Sequence, residues 1–193
     1  MFLTNLKRMG FSLTELMVVV AIVGILASIG IPMYTKYIKR ARASEISYAF
    51  GKIKATEEAY FSEVDLYKNL SKNPVNAPGK DSQAFCYTDA ACTNGYAPEN
   101  NIDVTWGTGG IGCRLSDKVY FQYGLCSGTG TYVPTNCDNY LFNTTLAITS
   151  FLQGTNDSWY VIQARGDLDG DTTFSRFETV IDSSLMYKDN ELE

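Results

Sequence analysis

The run from Phe11 to Ile31, FSLTELMVVVAIVGILASIGI, constrains this chain more than any other stretch, because it is free of charge except for one carboxylate, Glu15. Twenty-one residues at about 1.5 Å per residue make a helix of about 31 Å, the thickness of a bilayer's hydrocarbon core. A helix that is apolar on every side must sit in lipid or among other such helices. Gly24 and Gly30 lie inside the run and Pro32 closes it, which predicts a bend or local loosening there. Glu15 is the anomaly. A carboxylate costs roughly 2.5–3.5 kcal/mol near a bilayer centre and less at its edge, so a plain anchor has no use for one. A secretory signal fits no better. Its apolar region is about 7–15 residues long and ends at a small-residue cleavage site, whereas this run opens with an acid and continues into an amphipathic segment.

Beyond Pro32, Ala43, Ile46, Ala49, Phe50, Ile53, Tyr60, Phe61 and Val64 recur at steps of three and four. Arg42, Glu45, Lys52, Lys54, Glu58 and Asp65 are assigned to the opposite, solvated face. One helix is therefore expected from about Phe11 to about Leu66, on the order of 85 Å long. The boundaries that follow are 1–10 for a leader, 11–33 for an apolar helix, 34–68 for its amphipathic continuation and 69–193 for a globular head. Within the head, 69–117 is rich in Asn, Pro, Gly and Ser and reads as an irregular connection, a kind of segment that is usually functional or cross-linked. Stretches 118–125, 139–152, 158–165 and 173–182 are β-branched and aromatic, and their short turns favour an antiparallel sheet within 118–182. The fold class is α+β, a long N-terminal helix packed on an antiparallel β-sheet head.

Charge and residue usage narrow the function. The first 42 residues carry five net positive charges and the remainder ten net negative, within a total of −5. A basic neck below an acidic head suits a membrane-anchored protein and disfavours nucleic acid as a ligand. The chain has no histidine, which removes the Ser-His-Asp and Cys-His arrangements and the usual zinc sites. Lys, Ser and Asp remain, but nothing in the sequence places a nucleophile beside a base, so no enzyme activity is expected. Cys86, Cys92, Cys113, Cys126 and Cys137 lie in the head at spacings that match no CxxC metal pattern. In an exported domain they read as two disulfides and one leftover thiol, with the connectivity open.

The residues KRMG-FSLTE followed by the apolar run resemble the N-terminus of type IV prepilins and their pseudopilin relatives. Lys7 and Arg8 supply the basic leader, Gly10 the residue before cleavage, Phe11 the new N-terminus and Glu15 the glutamate five positions after the glycine. Pro32 stands where that family's helix has its proline. The resemblance covers about residues 4–45. It implies cleavage between Gly10 and Phe11 by a prepilin peptidase, N-methylation of Phe11, and self-assembly through Glu15 and the helix into a helical homopolymer. It also implies passage from a bacterial inner membrane to an extracellular filament by way of an inner-membrane assembly machinery. Adhesion, twitching motility and DNA uptake are the uses such a surface filament serves. Physical reasoning supports the part given to Glu15: a protonated Phe11 amine of one subunit can neutralise Glu15 of a neighbour, so a staggered register is favoured over mismatched ones. A minor pilin, a type II secretion pseudopilin and a non-polymerising, membrane-anchored calcium- or ligand-binding domain are the alternatives. Tyr34, Tyr37, Tyr48, Tyr60 and Phe61 suit packing along the helix better than conduction.

GDLDGDTTFSRFE, residues 166–178, is the second feature with chemical content. Counting from Asp167, it places Asp169, Asp171, Thr173 and Glu178 at the oxygen-ligand positions of a calcium loop, which makes Ca²⁺ the candidate cofactor. Thr172 stands where such a loop bends sharply and prefers Gly. The flanks read as strands, and Asp169-Gly170 between apolar runs is also a hairpin signal without any metal. Both readings stand.

Overall fold

The computed structural model describes residues 10–74, 77–85, 106, 111–115, 118–130, 137, 142, 158–181 and 183–190. One helix, α1 (Leu13–Val64), is followed by seven strands: β1 (Leu70–Asn73), β2 (Gln83–Ala84), β3 (Lys118–Val119), β4 (Gln122–Thr129), β5 (Ser158–Gly166), β6 (Ser175–Val180) and β7 (Tyr187–Asp189). The α+β expectation is met. The chain divides into two compact units, Met1–Ile38 and Lys39–Glu193.

In the first unit the helix begins at Leu13 and runs on through Pro32. Proline lacks an N–H and withholds one backbone bond. Nearby hydroxyls bond back to the helix, Ser28 Oγ to the Ile25 carbonyl at 2.7 Å and Thr35 Oγ1 to the Pro32 carbonyl at 2.9 Å. The large apolar side chains from Leu16 to Ile31 are each between 52% and 65% exposed, so this segment has no buried face of its own. It is long and apolar enough to cross a membrane.

The second unit is built on a five-stranded antiparallel sheet in the order β1-β4-β5-β6-β7, with β2 and β3 forming a separate pair. β4 and β5 are buried on both faces, which is why WYVI reads as a continuous apolar run and not as an alternating one. Alternation sorts their side chains all the same. Phe121, Tyr123, Leu125, Tyr160, Ile162 and Ala164 join Ile46, Ala49, Phe50 and Ile53 of α1 in the main core. Cys126, Trp159 and Val161 turn to the other face, where Cys137 and Val180 complete a smaller cluster. Gly166 ends β5 because a side chain there has no room: a Cβ would lie 2.6 Å from the Tyr120 carbonyl oxygen and 2.8 Å from the Phe121 ring.

Two boundaries differ from the sequence reading. The stretch 69–117 contains β1 and β2, short strands whose polar residues hid them. The sheet also extends past 182 to β7, whose three residues carry no apolar alternation. The strand expected at 139–152 lies outside the described residues except Phe142.

The cysteines resolve in part. Cys126 and Cys137 form a disulfide with their Cα atoms 5.5 Å apart; closing so short a loop contributes about 3 kcal/mol by restricting the unfolded chain. Cys113 is a buried free thiol, and burial pushes its ionisation upward. Cys86 and Cys92 lie outside the described residues.

Candidate functional site

The start of α1 is held by its own residues. Ser12 donates its backbone N–H and its hydroxyl to Glu15 Oε2, each at 2.8 Å, and the Glu15 N–H returns to Ser12 Oγ at 3.3 Å. This is a capping box, which satisfies backbone donors that the first helical turn leaves open. The sequence carries the signal for this cap in SLTE, a Ser followed three residues later by Glu. Both Ser12 bonds fall on Oε2, so among the described residues Glu15 Oε1 remains open to a further donor. Phe11 is 87% exposed and Gly10 is uncrowded, so the Gly10–Phe11 bond is accessible. Pro32 lies inside the same helix.

The acidic turn joins β5 to β6. Asp167 is buried and accepts the N–H groups of Gly170 at 2.6 Å and Thr172 at 3.0 Å, closing the tip. Asp171 accepts the Thr173 N–H at 2.7 Å. Asp169 pairs with Lys39 of α1 at 2.7 Å, and this ammonium holds its carboxyl below the usual range. Oxygens of Asp167, Asp169 and Asp171 come within 4.8 Å of one another, so these three are brought together as the residues that could hold a cation. Glu178 stands apart from them, buried on β6 and accepting a hydrogen bond from Gln163 Nε2 at 3.0 Å. Thr173 contributes its N–H to the turn.

Thr172, where the sequence lacked a glycine, adopts φ +76°. The left-handed conformation costs a β-branched residue about 1–2 kcal/mol. Glycine removes that cost at an entropic penalty of about 0.5–1 kcal/mol. Thr172→Gly is therefore expected to raise the thermal unfolding midpoint by about 2–3 °C, and a lowered midpoint would show that the turn is not strained there.

The charged residues of α1 differ most from the sequence reading, which placed them on a solvated face. Glu45 Oε1 accepts the Tyr123 hydroxyl at 2.6 Å and Oε2 the Tyr120 N–H at 3.0 Å. Arg42 lies over the Tyr120 ring at 4.6 Å and donates to the carbonyls of Lys80 and Leu168. Lys54 donates to the carbonyls of Val180 and Ser183 at 2.8 and 2.7 Å. Glu58 accepts the hydroxyls of Tyr67 and Tyr160. Four of the six charges assigned to solvent thus tie the helix to the head. A wheel records only angle along one helix, and a head wrapping beyond the apolar stripe reaches the flanking charges as well.

The comparisons agree with this geometry. A family profile described as the prokaryotic N-terminal methylation motif matches residues 7–31. The type IV major pilin protein PilA of Myxococcus xanthus is 29% identical over 177 residues, covering 88% of this chain and 78% of the relative. The type IV major fimbrial protein FimA of Dichelobacter nodosus is 35% identical over 128 residues, covering 57% of this chain and 74% of the relative. PilE1 of Neisseria gonorrhoeae, also a type IV major pilin protein, is 32% identical over 121 residues, covering 62% of this chain and 64% of the relative. No solved structure matches the chain. The motif sits at the start of an exposed apolar helix, the head is an antiparallel sheet, and the likeness to FimA spans nearly three-quarters of that protein. The chain belongs to the type IV pilin family.

Proposed function

We propose that this chain is the structural subunit of a type IV pilus, cleaved after Gly10, methylated on the Phe11 nitrogen and polymerised through its N-terminal helix. The observation that carries the reading is the mouth of α1: a capped glutamate with one free oxygen, opening a helix whose apolar side chains are exposed. Cleavage removes the leader but leaves the Ser12 N–H and hydroxyl, so the cap survives processing. What cleavage adds is a cationic amine on Phe11. In a staggered bundle that amine meets the open Oε1 of a neighbour's Glu15, while Ser12 keeps Oε2 oriented. The relatives are named as major pilins and a major fimbrial protein, which favours an abundant filament subunit over a minor pilin, a pseudopilin or an enzyme. Its partners are then other copies of the chain, a prepilin peptidase and the assembly machinery of the inner membrane.

Mass spectrometry of filaments sheared from cells is expected to find this chain as the main component, starting at methylated Phe11. A mature chain starting after Ala27 or Ser28, or one confined to the membrane fraction, would overturn the proposal.

A further inference from the structure

The last turns of α1 hold a carboxylate that lies outside both the apolar run and the acidic turn. Glu57 is 0% exposed. Its Oε2 accepts the Lys68 backbone N–H at 3.0 Å, and its Oε1 accepts no hydrogen bond among the described residues. The chain is folded back to make that single bond. Asp65 ends the helix at φ 59° with its N–H on the Phe61 carbonyl, and Phe61 and Tyr67 stack at 4.4 Å. Lys68 N–H is thereby aimed at the carboxylate. The rest of the seam is apolar, with Ile53, Leu70, Cys113 and Leu115 all buried.

The charged and titratable groups facing Glu57 come from each element packed there. Glu58 is its neighbour on α1, Lys68 follows the helix, Cys113 comes from the segment 111–115 and Tyr160 from β5. Lys52, also on α1, acts on the Cys113 thiol. Glu58 is already engaged by the Tyr67 and Tyr160 hydroxyls. The Lys68 ammonium favours ionisation of Glu57, and the adjacent Glu58 disfavours it. An ionised oxygen in a dry seam has two ways to relieve its lost hydration: it keeps a proton, or the surrounding packing parts to admit water.

We propose that Glu57 is a proton-operated latch in the head: protonated, it closes the seam between α1 and the segments 67–70 and 111–115, and ionised, it draws water to Oε1 and loosens that seam. The direction follows from the surroundings. Burial, reinforced by Glu58 and opposed by the Lys68 bond, raises the Glu57 carboxyl from 4.5 to about 7. A raised carboxyl contributes stability that is fully present below its unfolded value and is lost as pH climbs through the folded one. The closed seam thus persists until the pH nears 7, where Glu57 ionises in the folded chain, while the accompanying loss of global stability accumulates between about 4.5 and 7.

Glu57→Gln keeps the shape, supplies a donor and cannot ionise. In the full-length chain in detergent micelles, the thermal midpoints of parent and E57Q are expected to differ by a small amount below pH 5. By pH 8 the parent should lie a further 5–10 °C or so lower. A difference that stays constant with pH would overturn the latch. If E57Q fails to fold, ¹³C NMR of the parent decides: titration of the Glu57 carboxyl near 7 supports the proposal, and titration in the ordinary carboxylate range below 5 rejects it.

Discussion

Replacing Glu15 with alanine is expected to abolish filaments while leaving the precursor in the membrane. Insertion should not suffer, because the change removes the one charge from the apolar run, a charge that costs up to about 3 kcal/mol in lipid. Assembly suffers for a different reason. Without the carboxylate, the Phe11 amine of a packed subunit is a cation among apolar helices with nothing to neutralise it, and the preference for one stagger disappears. The helix also loses the glutamate half of its capping box, while Ser12 Oγ still accepts the N–H of residue 15. Glu15→Gln separates the two contributions: it keeps an oxygen for the Ser12 bonds and removes only the charge. If charge sets the register, Gln should fail almost as completely as Ala. Membrane fractionation together with shearing of surface filaments measures both arms, and normal filaments from either variant would sink the register argument.

Glu45→Ala is expected to destabilise the head by about 3–5 kcal/mol. Tyr123 is fully buried and its hydroxyl bonds to Glu45 at 2.6 Å; the Tyr120 N–H bonds to the same carboxylate. Truncation strands both donors, and each unpaired buried group costs about 1–3 kcal/mol, with a further loss from the void. Against a domain stability of about 5–15 kcal/mol, the thermal midpoint should fall by roughly 10 °C or more. Glu45→Gln retains an acceptor and should lose far less, so equal losses in the two variants would refute the hydrogen-bond account. Burial raises the Glu45 carboxyl, with the Tyr123 and backbone bonds opposing. The sign matches that of Glu57: the contribution is present below the ordinary carboxylate range and is lost as pH rises through the raised value. Wild-type heads should therefore be most resistant to heat under mildly acid conditions.

Much of the architecture was legible because it rests on short-range patterns. The expected helix of 11–66 and the observed Leu13–Val64 agree because an unbroken apolar run continues directly into a three-and-four spacing, and the helix carries Pro32 inside it. The strands at 158–165 and 173–182 coincide closely with β5 and β6, since each is long and both faces of β5 are buried. β1 and β7 were missed for the converse reason. LSKN and YKD carry no apolar pattern, and they become strands only because β4 and β6 offer open edges to pair with. Of the residues at the calcium-loop spacing, Asp167, Asp169 and Asp171 lie close together in the turn. That spacing placed Glu178 in the same group, whereas strand geometry gives this residue to Gln163, because a spacing rule drawn from helix-flanked loops does not carry over to a hairpin.

Along the N-terminal segment, the sequence alone determined what matters: an apolar run that needs lipid or like helices, one glutamate, and a glycine–phenylalanine junction before it. These properties belong to neighbouring residues on a single helix and need no distant partner. The head is otherwise. That Cys126 meets Cys137, that Glu45, Lys54 and Glu58 turn inward to bind the sheet, and that Glu57 is buried with one oxygen unmatched were decided only by tertiary structure. A charge next to an apolar stripe is solvated or buried according to how far the other elements wrap around the helix. That extent is set by contacts between residues 58 to 130 positions apart, which no local pattern encodes.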